Sequence, residues 1–583
     1  MWIAMDFGEM FRLMSTTMLW LVIAADWALA ALGQTEAQMT APHESLPTLP
    51  WMARPGVAPA GAIAHCGAWE RDGYKSIQVN VDAFGCNILG DAANEPSIAV
   101  SATDPRKIVI GWRQFNSVTS DFREPGWAYS HDGGHTWVFR GSLDPGVFGS
   151  DPVVTLGPEG QIYYLTINFD EMRLFQSSDA GLTWPLQTQV IAAFYDKPWT
   201  TVDLTSGPGR GNIYIVSPSR VFVRSTDAGM SFAAYSATGG NGFTVNVGPD
   251  GSLWIVDGSF NLACPPSVLI RIGVSDNASD AALTPIFERR EIMLGQYAHC
   301  AGQVNPGGLL GQPWIATDHF VGPTRGNVYA LTLTGMDPKY PDPPVDPFDI
   351  VFVRSTNDGK TWSSPLRVND DPYSPTSLQW FNTMSVAPNG RIDVAWNDTR
   401  NSGVPNVSEL YYTYSTDGGE TFAPNIPVSP PFDSTVGWPY NNPKIGDYYH
   451  MVSDNLGVNV AYAATFNGEQ DIYFLRIGPW DCNGNETDDA LDISDLRSRD
   501  CNANDVPDEC EYRADVNGDG LTTLSDFVAF QKALTGPLSS TQLQSTIDNR
   551  QSTILCPDLL DPDHDGDIDL HDLYLFQQVY VKP

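Results

Sequence analysis

Two segments near the C-terminus combine oxygen-bearing residues at a spacing that can do chemistry: DVNGDGLTTLSD from Asp515 to Asp526 and DPDHDGDIDLHD from Asp561 to Asp572. Oxygens at alternating positions, closed by a carboxylate at the twelfth, wrap a hard cation, and a glycine at the sixth makes the sharp turn. That register assigns calcium ligands to Asp515, Asn517, Asp519, Thr523 and Asp526, with the carbonyl of Leu521. The second loop offers Asp561, Asp563, Asp565, Asp569 and Asp572, with the carbonyl of Asp567. Gly520 and Gly566 take the turn position, and each loop runs into an amphipathic stretch, Phe527 to Leu534 and Leu573 to Val579. Two further loops lie upstream at a period of 19, DCNGNETDDALD from Asp481 and DCNANDVPDECE from Asp500. They offer Asp481, Asn483, Asn485, Asp489 and Asp492, then Asp500, Asn502, Asn504, Asp508 and Glu511. Glu486 and Asp505 replace the turn glycine, so calcium and an acidic turn without an ion both stay open for this pair.

An octapeptide supplies the second pattern: SHDGGHTW from Ser130, SSDAGLTW from Ser177, STDAGMSF from Ser225, STNDGKTW from Ser355 and STDGGETF from Ser415. The Asp oxygens can accept turn N–H groups and the Gly can take positive φ. Ser and Thr tie the strand ends, and the aromatic returns to the core. The fourth copy carries Asn357 where the others carry Asp. These motifs resemble the Asp-boxes of sialidase-like (BNR-repeat) β-propellers. The resemblance implies that the octapeptides are structural turns on the rim away from a central pocket. The tail, about residues 513–583, resembles a dockerin, and residues 481–512 resemble the acidic spacers that precede such tails. A dockerin-like tail implies a cohesin-like protein partner.

The octapeptides are 47, 48, 130 and 60 residues apart, against about 40–50 residues for a propeller blade. The long interval hides a blade without a motif. Strand openings predict seven blades, or six if the last triplet is an appendage. The strand Ser76 to Val81 is expected to join the last triplet and close the ring. The fold class is mainly β, a propeller followed by a small α-helical calcium-loop domain. The expected organisation is a signal peptide over 1–33, an N-terminal segment over 34–75, the propeller over 76–480, the spacer over 481–512 and the dockerin-like domain over 513–583.

Repeat register places Glu95, Asp151, Asp196, Lys197, Gln312 and Asp447 at openings of first strands, with Tyr448 beside them; Arg113 and Arg400 end second strands. Arg113, Arg400 and Tyr448 suit an anionic ligand, and the acids suit a cation or acid–base work. Strand capping and mutual pairing are the other reading of the same residues. Sialidase chemistry needs an arginine cluster, a Tyr nucleophile polarised by Glu and an Asp acid. The family's Phe-Arg-Ile-Pro motif is absent, and Glu95 stands near the place of its arginine. Two functions follow: a glycoside hydrolase of sialidase-like fold with altered specificity, or a non-catalytic propeller binding glycan or protein. The ligand expected in either case is a glycan or glycoprotein.

The net charge of −37 disfavours nucleic acid and anionic membrane surfaces, and 22 acids against 6 bases fall after residue 480. The apolar run Met18 to Ala25, followed by Ala28-Leu29-Ala30-Ala31, resembles a secretory signal. No other stretch approaches the length of a spanning helix. The expected location is secreted or cell-surface. Eight cysteines in an exported chain suggest disulfides, Cys66–Cys86 and Cys264–Cys300 being the local pairings.

Overall fold

The computed structural model describes residues 47–50, 58–193, 196–218, 221–236, 243–258, 268–295, 304–334, 348–374, 376–500, 506–510 and 527–528. Within them the chain forms seven antiparallel sheets, six of them built from consecutive strands and the seventh from both ends of the chain. The first sheet runs Ala92–Val100, Ile108–Phe115, Glu124–Ser130, Val138–Ser142, and the second Ser150–Leu156, Ile162–Ile167, Met172–Ser177, Leu186–Ile191. The third to sixth sheets open with Trp199–Val202, Thr244–Val247, Trp314–Thr317 and Gln379–Val386. The seventh contains His450–Ser453, Val458–Ala464 and Asp471–Ile477, and is completed by Tyr74–Gln78 and Ala68–Arg71 from the other end of the chain. First strands touch one another in ring order, including Ala92–Val100 against His450–Ser453. The architecture is a closed seven-bladed β-propeller with those strands lining its axis.

Closure uses the pairs Ser76↔Leu475, Ile77↔Phe474 and Gln78↔Tyr473. The closing strand lies where the sequence places it, but the sheet gains a fifth strand, Ala68–Arg71, ahead of the expected start at 76. The Cys66–Cys86 disulfide clips the loop that follows this hairpin, and the closed ring leaves no exposed edge at the seam. Cys482 pairs with Cys510, and Cys264 and Cys300 lie outside the described residues.

The five octapeptides form one turn. In the first, Asp132 Oδ1 accepts from Ser130 Oγ at 2.6 Å and from Thr136 N at 3.0 Å, Ser130 Oγ accepts Gly134 N at 2.8 Å, and Thr136 Oγ1 donates to Asp132 Oδ2. Gly134 has φ 97°, and a Cβ there would meet Phe474 of the preceding blade at 2.3 Å. Gly419 repeats this against Phe352, at 2.4 Å. Glycine is therefore required twice over, by its conformation and by the close approach between blades. Asn357 keeps the turn but reverses one bond: its Nδ2 donates to Thr361 Oγ1 at 2.8 Å. The fourth blade, which has no octapeptide, retains the first bond only, Ser275 Oγ to Asn277 Oδ1 at 3.0 Å.

Candidate functional site

Four first strands carry an X-Pro dipeptide, Glu95-Pro96 and Asp151-Pro152 inside the opening of the strand, Lys197-Pro198 and Gln312-Pro313 just before it. Glu95, Asp151 and Lys197 have φ of 57°, 48° and 49°. Register shifts at Asn94/Ser97 and Ser150/Val153 mark bulges at the same points. A bulge re-aims a side chain away from the strand's alternation. Here it brings residues from several blades together at one end of the axis.

The convergence is a network of charges. Lys444 Nζ lies 2.6 Å from Asp447 Oδ2 and 3.3 Å from Glu95 Oε1. Lys197 Nζ bonds the same Asp447 carboxylate, and its N–H donates to Asp151 Oδ2 at 2.8 Å. Arg113 Nε lies 3.3 Å from Glu95 Oε2 and donates to Asn94 Oδ1 at 2.8 Å. Asp447 Oδ1 takes Leu309 N at 2.6 Å. The Tyr448 hydroxyl donates to the carbonyl of Pro152 at 2.9 Å. Arg123 lies over Phe148 at 4.7 Å and feels the charges of Asp151, Asp196 and Asp447. All of these side chains belong to buried residues, Glu95, Arg113, Asp151 and Asp447 with no exposed surface and Asp196 with the most, 8%.

Burial pushes Glu95 up to about 7, against the opposing charges of Arg113 and Lys444. Burial disfavours the charged ammonium of Lys197, but Asp447, Asp151 and Glu95 outweigh it and hold the group charged. Burial also keeps the Tyr448 phenol well above its ordinary value. Four acids and four bases, Lys444 and Arg123 included, thus occupy one desolvated volume.

Of the residues expected at the channel from sequence, Glu95, Arg113, Asp151, Asp196, Asp447 and Tyr448 meet here. Arg400 instead lies 2.7 Å from Asp398, 2.6 Å from Asp370 and 3.4 Å from Asp371, and covers Tyr411 at 4.5 Å. Lys444 and Arg123 were not foreseen, since neither stands in a repeated position.

At the other end of the axis, where the first strands finish, lies a cavity of about 800 Å³. Trp199, Trp314 and His450 form its inner end, with Thr201, Asn246 and Thr317 along the wall. Burial lowers His450 to about 3, and its neutral Nδ1 accepts Ile98 N at 3.2 Å. Third strands run parallel to first strands in such sheets, so the octapeptide turns lie on this same face, away from the charge network but not, as the resemblance implies for a central pocket, away from the cavity. Asp481, Asn483 and Glu486 of the spacer line the cavity as well. The calcium-loop residues 515–526 and 561–572, together with Asp500, Asn502, Asn504 and Glu511, lie outside the described residues or, for Asp500, at their edge.

No family model matches the chain. No curated protein matches it either. Solved structures do. A protein of unknown function from Dyadobacter fermentans is 14% identical, covering 69% of this chain and 97% of its own, with a TM-score of 0.37. YCF48 from Cyanidioschyzon merolae is 11% identical over 70% of this chain and 98% of its own, TM-score 0.37. Trypanosoma rangeli sialidase is 12% identical over 70% of this chain and 58% of its own, TM-score 0.33. Likenesses of this size carry nothing about activity. Among the described residues no helix is long and apolar enough to cross a membrane.

Proposed function

We propose that this chain is an exported propeller that binds extracellular glycans without hydrolysing them, displayed through a calcium-dependent, dockerin-like tail that engages a cohesin-like partner. The observation that carries the non-hydrolytic reading is the mutual pairing of the axial charges. Glu95 is held between Arg113 and Lys444, Asp447 between Lys197 and Lys444, and the Tyr448 hydroxyl is spent on Pro152. A nucleophile and acid need a reachable reacting atom, and these groups present no surface to one. The glycan assignment is supported by the octapeptide resemblance to sialidase-like propellers. The export and tail assignments are supported by the apolar N-terminal run and by the spacing of the two C-terminal calcium loops.

A glycoside hydrolase remains the second reading, favoured by one observation: Glu95, pushed up to about 7 beside Arg113, has the acidity of a general acid. The two are separated by screening the full chain against chromogenic glycosides and an immobilised glycan panel. Binding without turnover is expected, with Thr201→Trp in the cavity weakening binding. Turnover lost in both Glu95→Gln and Tyr448→Phe, at unchanged melting temperature, would replace the binding reading with the hydrolytic one.

A further inference from the structure

The first part of the spacer is fixed to the cavity face of the propeller. Arg106 Nη1 donates to the carbonyl of Glu509 at 2.7 Å, and His135 packs on Trp480 with ring centroids 4.1 Å apart. The Cys482–Cys510 disulfide ties the segment to itself. Within it, residues 481–492 curl round a common point. The Asp481 carboxylate accepts Asn485 N at 3.0 Å and Glu486 N at 2.9 Å, and Glu486 takes the left-handed turn at φ 65°. Asn483 and Asn485 aim their amides at Asp492 Oδ2, at 3.3 and 2.6 Å.

Asp492 is the unexplained member. It has no exposed surface, yet its Oδ1 takes no hydrogen bond. The guanidinium of Arg497, more than half exposed, stands 3.7 Å away. A fully buried carboxylate with one oxygen unserved is costly unless something else completes it. Cys482, Asp489 and Cys510 come within 4.8 Å of one another, but both sulfurs are spent in the disulfide. Only oxygens are on offer, which excludes a zinc-type thiolate site and leaves a hard cation.

We infer that residues 481–492 bind one calcium ion through Asp481, Asn483, Asn485 and Asp492, with Asp489 at the ninth position. A half-turn of each Asn amide gives up the bonds that Asn483 Oδ1 takes from Asn485 N at 3.1 Å and Asn485 Oδ1 takes from Thr487 N at 2.8 Å, and turns both oxygens towards the Asp492 carboxylate, where the ion offsets their loss. The set is large and oxygen-only, with Asp481, Asn483 and Asn485 on a loop and Asp489 and Asp492 on the short helix Asp489–Ser494 that follows it, which suits calcium better than magnesium. Because Asp481, Asn483 and Glu486 line the cavity, the ion also stiffens that wall. The site is separate from the two C-terminal loops and does not depend on the glycan reading.

The test uses the full chain, so that loops 515–526 and 561–572 contribute equally to every variant. Calcium alone is titrated calorimetrically, and melting temperature is read in chelator and in calcium. Asp492→Asn is expected to bind one ion fewer. It should melt no lower than the parent in chelator and several degrees lower in calcium. Asn485→Asp adds a carboxylate and should bind that ion several-fold tighter while melting lower in chelator, which keeps the proposal testable if Asp492→Asn fails to fold. An unchanged stoichiometry in Asp492→Asn would overturn the site. So would a loss of melting temperature of the same size in chelator and in calcium.

Discussion

Two groups of buried carboxylates sit within the same propeller and are held by opposite means. At the axis, Glu95, Asp151, Asp196 and Asp447 share one volume with Arg113, Arg123, Lys197 and Lys444. At the seam where the ring closes, Asp91, Glu469 and Asp471 are equally buried, but amides and backbone N–H groups hold them. Asn80 and Asn467 donate to Asp471 at 2.9 and 3.1 Å, Asn87 and Gly90 N to Glu469 at 3.0 and 2.6 Å, and Gln114 to Asp91 at 2.9 Å. Burial raises Asp471 well above its ordinary value, and the neighbouring charge of Asp91 raises it further. The axial carboxylate Asp447 is met by two ammonium groups, whereas burial and the neighbouring Asp91 push Asp471 towards its neutral form. Burial alone therefore does not set the protonation state of an acid; the kind of partner does.

The largest expected effect separates the two directly. Asp447→Asn leaves two buried ammonium groups without their shared counter-ion and should cost about 3–5 kcal/mol. Asp471→Asn strands no buried charge but sets a new N–H against one of the Asn amides that now donate to it, and should cost less, about 1–3 kcal/mol. Urea unfolding at pH 7 reads both. Equal losses would mean that Asp471 is ionised and that the contrast is false.

The axis was legible in the sequence because it repeats. Glu95-Pro96, Asp151-Pro152 and Lys197-Pro198 recur at blade spacing, and each X-Pro opening sits at an innermost strand. Lys444 and Arg123 complete the network from connecting segments that do not repeat, so nothing in the spacing announced them. The seam cluster was illegible for another reason. Glu469 and Asp471 flank a strand and read as solvent-facing acids until the N-terminal strand is laid beside them. Arg400 followed the pattern of a channel residue, but the adjacent Asp370-Asp371 pair captures it. Asn277 and Ser275 keep one bond of an octapeptide whose Gly, Thr and aromatic are gone, and the turn is recognisable only by that hydrogen bond.

A second effect sharpens the contrast through pH. Glu95 has an ordinary value of 4.5 and is pushed up to about 7 in the fold. Between those values the folded chain holds a proton that the unfolded chain releases, so stability falls as pH rises through that window. The loss is on the order of 3 kcal/mol, and Glu95→Gln should remove that slope. Asp417 runs the other way. Its turn bonds to Thr421 and Ser415 outweigh burial and lower it to about 2 from 3.8. Its contribution is present above the ordinary value and is lost as pH falls towards the folded one. A stability profile from pH 2 to 8 that stays flat between 4.5 and 7 in the parent would show Glu95 ionised throughout.

The octapeptide turns extend the comparison to acids held by their own turn. Asp132→Ala removes acceptors for Thr136 N and for the hydroxyls of Ser130 and Thr136, and should cost about 1–3 kcal/mol. Glycan binding at the cavity should survive. Loss of binding at unchanged stability would assign the turn to the ligand rather than to the blade.

The smallest expected effect is a gain. At Asn357 the amide already serves Thr361 N and Ser355 Oγ through Oδ1, at 2.9 and 3.1 Å. Its Nδ2 donates to the Thr361 hydroxyl, a neutral bond where the other copies have a hydroxyl donating to a carboxylate. Charge-assisted bonds are about twice as strong as neutral ones. Asn357→Asp therefore restores the stronger arrangement without moving the backbone, and should add about 0.5–1 kcal/mol at pH 7. Asp358, exposed and next in sequence, opposes this by repulsion, although Lys360 lies 3.1 Å from it and offsets part of the charge. Added salt should therefore enlarge the gain, and acid near pH 2 should abolish it as the new carboxyl takes up its proton. A substitution that lowers the melting temperature at both pH values would mean that Asn357 is matched to its own blade and is not a weakened copy of the others.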